Sequence, residues 1–123
     1  MNGYVANIEK LTLENEFFRQ EVYTDSRLQL VLMALKPGED IGAEVHQLDQ
    51  FIRIEAGEGK SVLDGEEREL SASSVVIIPQ GVKHNIINTG SASMKLYTLY
   101  APPNHPPGTI HKTKAEAEAA EHE

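Results

Sequence analysis

Short apolar runs recur along this chain between clusters of Gly, Asp, Asn and Pro, and that rhythm constrains the fold more than any other feature. Runs of this length, each closed by turn residues, predict an all-β sandwich or barrel. Residues 17–23 and 28–35 read as strands around a turn at 24–27, and Pro37-Gly38 ends the second. Residues 51–55 alternate apolar and charged side chains, so Ile52 and Ile54 share the parity of Gln50 and face inward. Residues 60–63 and 66–70 form a hairpin across Asp64-Gly65, a pair suited to a type I′ turn because Gly accepts positive φ freely. Residues 75–78 of the run 74–78 are β-branched and apolar, on both faces, and predict a buried strand. Residues 84–88 and 94–100 complete the set.

The C-terminal part changes character. Residues 101–108 hold four prolines, which fix φ and remove donors, so an extended strap is expected across the outside of the barrel. It should anchor the segment 112–123 against the body or a partner subunit. Within that segment, residues 113–121 predict a short helix with Thr113 as N-cap and Glu116 at N3. No other helix is expected. The whole chain reads as one domain, 1–123, with a barrel core at about 28–100, an N-terminal segment 1–27 and a C-terminal strap and helix 101–123.

Composition excludes several classes. Without Cys there is no thiolate nucleophile, no Cys-ligated metal and no disulfide framework. A net charge of −8 disfavours nucleic acid and anionic membrane surfaces as partners. The first residues lack a basic region followed by an apolar core, and the stretch 28–35 is too short to span a bilayer, so a cytoplasmic protein is expected.

Two stretches carry chemistry. Residues 38–50 place Glu44 and His46 two apart, on one side of a strand, with Gln50 beyond; residues 79–88 hold Pro79, Gly81, His84 and Asn88. Two imidazoles and a carboxylate suit a divalent first-row metal with open positions. Asn88 is expected to close a turn. Tyr97, Tyr100 and Phe51 are expected in core or interface. His105 and His111 are expected to be exposed beside the strap, and His122 belongs to the tail.

These stretches resemble the two cupin motifs. Gly38, Glu44, His46, Gln50 and Gly57 keep the spacing of the first, with Glu44 standing where a His is usual and Gln50 where a Glu is usual. Pro79, Gly81, His84 and Asn88 match the second, with Ser73 in place of its opening Gly. The resemblance implies a single-domain jelly-roll β-barrel in which Glu44, His46, Gln50 and His84 hold a divalent metal: Mn, Fe, Ni or Zn. The ligand set keeps its single negative charge, and its added oxygen favours Mn²⁺ or Fe²⁺. It also implies a small-molecule ligand and a homodimer, for which the segment 28–35 and the N-terminal segment are the expected surface. The activity expected is that of a metal-dependent, dioxygenase-like enzyme on a small organic molecule. A sugar or sugar-phosphate isomerase or epimerase, and a non-catalytic ligand-binding or sensing protein, are the alternatives.

Overall fold

The computed structural model describes residues 3–121; His122 lies outside them. The chain enters through a helix that its sequence does not advertise, α1 (Ile8–Glu14). Asn7 caps it, its side chain accepting from the Lys10 amide at 3.1 Å, and Glu9 sits in the first turn where negative charge is favourable. Seven residues hold too few apolar positions to display a helical period, and packing rather than propensity stabilises so short a helix. α1 lies against the back of the larger sheet, on its central strands.

Among the described residues, nine strands follow, then a second helix. They are β1 (Arg19–Thr24), β2 (Gln29–Leu35), β3 (Asp49–Ala56), β4 (Gly59–Leu63), β5 (Glu66–Leu70), β6 (Val75–Ile78), β7 (His84–Asn88), β8 (Met94–Ala101) and β9 (Ile110–His111), with α2 at Lys114–Glu121. One sheet runs β6-β3-β8-β2-β1-β9 and the other β5-β4-β7. All named pairs are antiparallel. Val31, Met33, Leu35, Ile52, Ile54, Ile86, Met94 and Leu96 fill the core as one cluster. The inward parity expected for β3 holds: Gln50, Ile52 and Ile54 are buried while Asp49 is exposed and Phe51, Arg53 and Glu55 are half-buried. Asp64 and Gly65 both take positive φ, as a type I′ hairpin requires.

Gly57 closes the first motif for a steric reason. Its φ is +98°, and a Cβ there would sit 2.8 Å from the Met94 Cα, a backbone atom that cannot yield.

Two strand readings need correction. β6 is buried on one face only: Val75 and Ile77 are 47% and 58% exposed, because β6 is the edge of its sheet and nothing among the described residues covers its outer side. β2, conversely, is largely buried: it pairs with β8 and β1 on its two edges and contacts α1, so most of its apolar side chains are spent within the chain, with only Leu30 half-buried and Leu28, just before it, 38% exposed.

The strap is also placed differently from expectation. It turns over the open end of the barrel instead of crossing the outside, because Gln29, fully buried on β2, gathers it. Gln29 Oε1 accepts from the amides of Asn104 (3.0 Å) and His105 (2.9 Å), and its Nε2 donates to the His105 carbonyl (2.6 Å) and Thr24 Oγ1 (2.9 Å). Three of these four hydrogen bonds reach the strap and supply the pairing that the prolines cannot. The chain then returns as β9 alongside β1, where Arg19 faces His111.

α2 is capped as its sequence implies, with the Glu116 amide donating to Thr113 Oγ1 at 3.1 Å. It docks on the body through buried Ala117, which joins the core cluster, and through the Lys114–Asp40 ion pair. Neither helix is long and apolar enough to cross a membrane.

Candidate metal centre

Backbone hydrogen bonds bring the two motifs together. Residues 39–44 run antiparallel beside β7, with bridges Asp40–Ile87 and Glu44–His84. Glu44 and His84 exchange both of their amide hydrogen bonds, at 3.0 and 2.9 Å, which sets their side chains next to each other. The Gly81 amide donates to the His46 carbonyl at 2.9 Å, tying the turn before β7 to the first motif. Gly81 takes φ +86°, which explains a glycine in that turn.

The four candidate ligands then divide into two kinds. His84 and Gln50 are 2% and 4% exposed, and each offers an acceptor that nothing fills. His84 Nδ1 lies 3.0 Å from the Val82 carbonyl; that acceptor holds the ring proton on Nδ1 and leaves the Nε2 lone pair free. Gln50 Nε2 donates to Thr98 Oγ1 at 3.0 Å, leaving its Oε1 without a partner. The second kind is a closed pair: His46 Nε2 and Glu44 Oε2 are 2.5 Å apart. The His46 ring lies 5.1 Å from that of His84. Since Glu44 and His46 are turned on each other, no three His, Asp or Glu side chains among the described residues form a ready-made metal cage.

Burial pushes the Glu44 carboxyl up, but the hydrogen bond from His46 and the nearby cationic groups, Arg19 among them, outweigh it and hold the carboxyl below its ordinary value. Burial pushes His84 below the ordinary imidazole value, only partly opposed by the Val82 carbonyl, so it stays neutral near pH 7. The donor chemistry therefore fits a divalent cation: one carboxylate, one amide oxygen, one neutral imidazole already oriented by a backbone carbonyl, and a second imidazole beside it.

Further groups surround these residues, and one of them, Arg19, the sequence did not single out. Tyr100 is buried, as expected for core, yet its ring also packs edge-on to His46 (centroids 6.3 Å apart) and to His105 (5.5 Å). Its phenol is pushed up to about 12 by burial. His105 and His111 are half-buried at the mouth rather than exposed, because Gln29 draws the strap inward and β9 pairs with β1. His111 Nδ1 lies 3.1 Å from Arg19 Nη1, a contact between residues 92 positions apart that no local pattern signals. Asn88 closes its turn as expected, donating to the Leu35 and Ala92 carbonyls and accepting from the Gly90 amide, each at 2.9 Å. Phe51 and Tyr97 pair with each other, centroids 6.3 Å apart, on the face of β3 and β8 turned away from Gln50.

A pH dependence of stability follows. Burial and the Arg19 cation push His105 down to about 4, so between that value and about 6.5 the unfolded chain binds a proton there that the folded chain does not. Stability contributed by neutral His105 is complete above pH 6.5 and is lost as pH falls toward 4. The melting temperature should drop across that window, and His105→Gln should flatten the drop. Equal pH profiles for the two proteins would contradict this placement of His105.

The comparisons with known proteins agree with this architecture. A family model for the cupin domain matches residues 31–100. The chain is 46% identical over 125 residues to the uncharacterized protein YrkC of Bacillus subtilis, spanning 96% of this chain and 67% of that one. The crystal structure of BH2720 from Bacillus halodurans superposes with a TM-score of 0.94 at 43% identity, covering 96% of this chain and 95% of that one. The chain is also 35% identical, over an alignment of 104 positions, to part of a mannose-1-phosphate guanylyltransferase from Salmonella montevideo, spanning 72% of this chain and 22% of that protein.

Proposed function

The chain belongs to the cupin family, and we propose that its barrel mouth binds a divalent metal through Glu44, His46, Gln50 and His84 and acts as a metal-dependent, dioxygenase-like enzyme on a small organic molecule. The observation that carries this reading is the pair of buried acceptors without donors, His84 Nε2 and Gln50 Oε1. Each such orphan costs roughly 1–3 kcal/mol, and one cation would satisfy both. Mn²⁺ or Fe²⁺ suits an oxygen-rich shell best, with Ni²⁺ and Zn²⁺ as competitors. When bound, such an ion would polarise a substrate oxygen or gather substrate and O₂.

The chain's own residues set the conditions for this. The proton between His46 Nε2 and Glu44 Oε2 must leave before both atoms can offer lone pairs, so metal capture is coupled to deprotonation or to a change of tautomer. The Val82 carbonyl keeps the His84 ring oriented, and Thr98 does the same for the Gln50 amide. Tyr100 packs against His46 and His105 against Tyr100, which places both rings on the strap side of these residues.

A second reading is a sugar-phosphate isomerase or epimerase type of activity; the stretch shared with 22% of a mannose-1-phosphate guanylyltransferase supports a sugar phosphate as the ligand class and not the reaction. The test is elemental analysis of the purified protein, followed by O₂ uptake over a panel of small diols and keto acids and by isomerisation assays on sugar phosphates. O₂ uptake supports the first reading and isomerisation the second. Metal-loaded protein inert in both assays is a binding or sensing protein, and metal-free protein after supplementation overturns the proposal. We further propose that the protein works in the cytoplasm as a homodimer; exposed Tyr4, Val5 and Leu13 of the N-terminal segment and exposed Val75 and Ile77 on β6 are apolar surfaces open to such pairing, which sedimentation of a Val5→Glu/Leu13→Glu and a Val75→Glu/Ile77→Glu variant would test.

A further inference from the structure

Arg19 is 4% exposed, yet it forms no ion pair with any carboxylate among the described residues. Its Nη1 meets His111 Nδ1 at 3.1 Å, its guanidinium lies 5.3 Å from the Phe18 ring centroid, and its buried Nε–H has no partner at all. A buried cation without a counter-ion is costly to a fold, because desolvation is not repaid. Glu44, which lines the same cavity, is already engaged by His46.

We propose that Arg19 is an anion-recognition residue of the mouth, whose free Nε edge binds the carboxylate or phosphate of the small ligand held beside Glu44, His46, Gln50 and His84. Three observations converge on it. First, Arg19 and Glu44 line one cavity of about 260 Å³ beneath α2, room for a compact organic ligand; Lys114, Glu118 and Glu121 of α2 line its other side, so Arg19 is its buried cation. Second, Arg19 acts electrostatically on Glu44, Tyr100 and His105, the groups that ring the mouth. Third, the buried side-chain polar atoms without partners among the described residues are Arg19 Nε, Gln50 Oε1 and His84 Nε2: one charged donor and two acceptors. Glu44 shares the cavity with Arg19 and a backbone bridge with His84, and Gln50 sits opposite Tyr100, whose ring meets His46. These neighbour relations link the three orphans through Glu44, His46 and Tyr100. The three orphans complement a ligand that is anionic at one end and presents a cation or hydroxyl hydrogens at the other. Arg suits the anionic end because Nε and the adjacent Nη form a planar fork that grips an oxyanion through two parallel hydrogen bonds.

This inference rests on the mouth being a ligand site, and its test separates the two claims. In full-length protein carrying ¹⁵N-labelled arginine and histidine, the Arg19 Nε–H and His84 Nε2 signals are followed with and without Zn²⁺. The probes are 2-oxobutyrate and mannose 1-phosphate, each against its neutral counterpart, butanone and mannose. The Arg19 signal should move with an anionic probe and not with its neutral counterpart, and the probe that moves it tells carboxylate from phosphate. Arg19→Met should weaken that probe by about tenfold or more, the loss expected of a charge-assisted pair, and should not lower the melting temperature. Arg19→Lys should recover part of the affinity. A stationary Arg19 signal with both anions, or equal affinity in Arg19→Met, overturns the proposal. If Arg19→Met fails to fold, the wild-type signal and Arg19→Lys decide. A His84 signal indifferent to Zn²⁺ counts against the metal reading alone and leaves the Arg19 result standing.

Discussion

Changing His46 and His84 together to Ala is expected to abolish stoichiometric metal binding while the barrel stays folded. Purified wild-type protein should carry about one divalent ion per chain and the double variant less than about a tenth of that, because the variant keeps only Glu44 and a neutral amide as donors. Survival of the fold is expected from the core: Ile52, Ile54, Ile86, Met94 and Leu96 are each 1% exposed or less and involve neither histidine. His84 is itself 2% exposed, so truncation leaves a cavity, but it also removes a buried acceptor without a donor, and the two effects oppose each other. Elemental analysis gives the metal content and circular dichroism the fold. Stoichiometric metal in a folded double variant would show that the ion, wherever it sits, is not held by these residues.

Gln29→Leu should destabilise the protein by roughly 3 kcal/mol or more, a large effect for a change that nearly preserves volume. Three backbone groups of the strap lose their partner at once: the amides of Asn104 and His105 and the carbonyl of His105. Each buried polar group left unsatisfied costs about 1–3 kcal/mol. Thr24 Oγ1 loses its donor as well. Because Gln29 draws His105 over Tyr100, the same variant should speed amide exchange at Asn104 and His105 and open the mouth to solvent. Urea denaturation measures the first effect and hydrogen exchange the second. A loss below about 1 kcal/mol, the net worth of one ordinary hydrogen bond, would show that the strap is held by something other than Gln29.

Much of the barrel was legible in the sequence because its signals are local. The Asp64-Gly65 hairpin, the inward parity of Gln50, Ile52 and Ile54, the turn closed by Asn88 and the Thr113 cap each depend on a few neighbouring residues. What escaped depends on distant partners. Nothing in Val75–Ile78 says which strand will lie beside it, so an edge strand with one bare face reads like a buried one. α1 is short, and its reason to exist is the sheet beneath it. The site divides the same way. Spacing proposed Glu44, His46, Gln50 and His84 as one set, and backbone bridges between the motifs put Glu44 against His84 and His46 against Gly81. Spacing did not foretell that Glu44 and His46 would close on each other, nor that Arg19 and His111 would meet at the mouth. Arg19 shares its run with Gln20 and Glu21, and only the pairing of β1 with β9 turns it from one surface charge among several into a buried cation.

The central claim, that a divalent ion is captured by His46 and His84, is tested most directly by titrating Mn²⁺ into ¹⁵N-histidine-labelled protein. The imidazole signals report distance, since a paramagnetic ion broadens nearby nuclei first. The account predicts that the His46 and His84 signals vanish together at the first equivalent, ahead of His105, His111 and His122, and that the effect weakens as the solution is acidified below about pH 6.5, where protons compete for the imidazoles. Broadening that begins at His105, His111 or His122, or that spreads evenly over all five histidines, would contradict it.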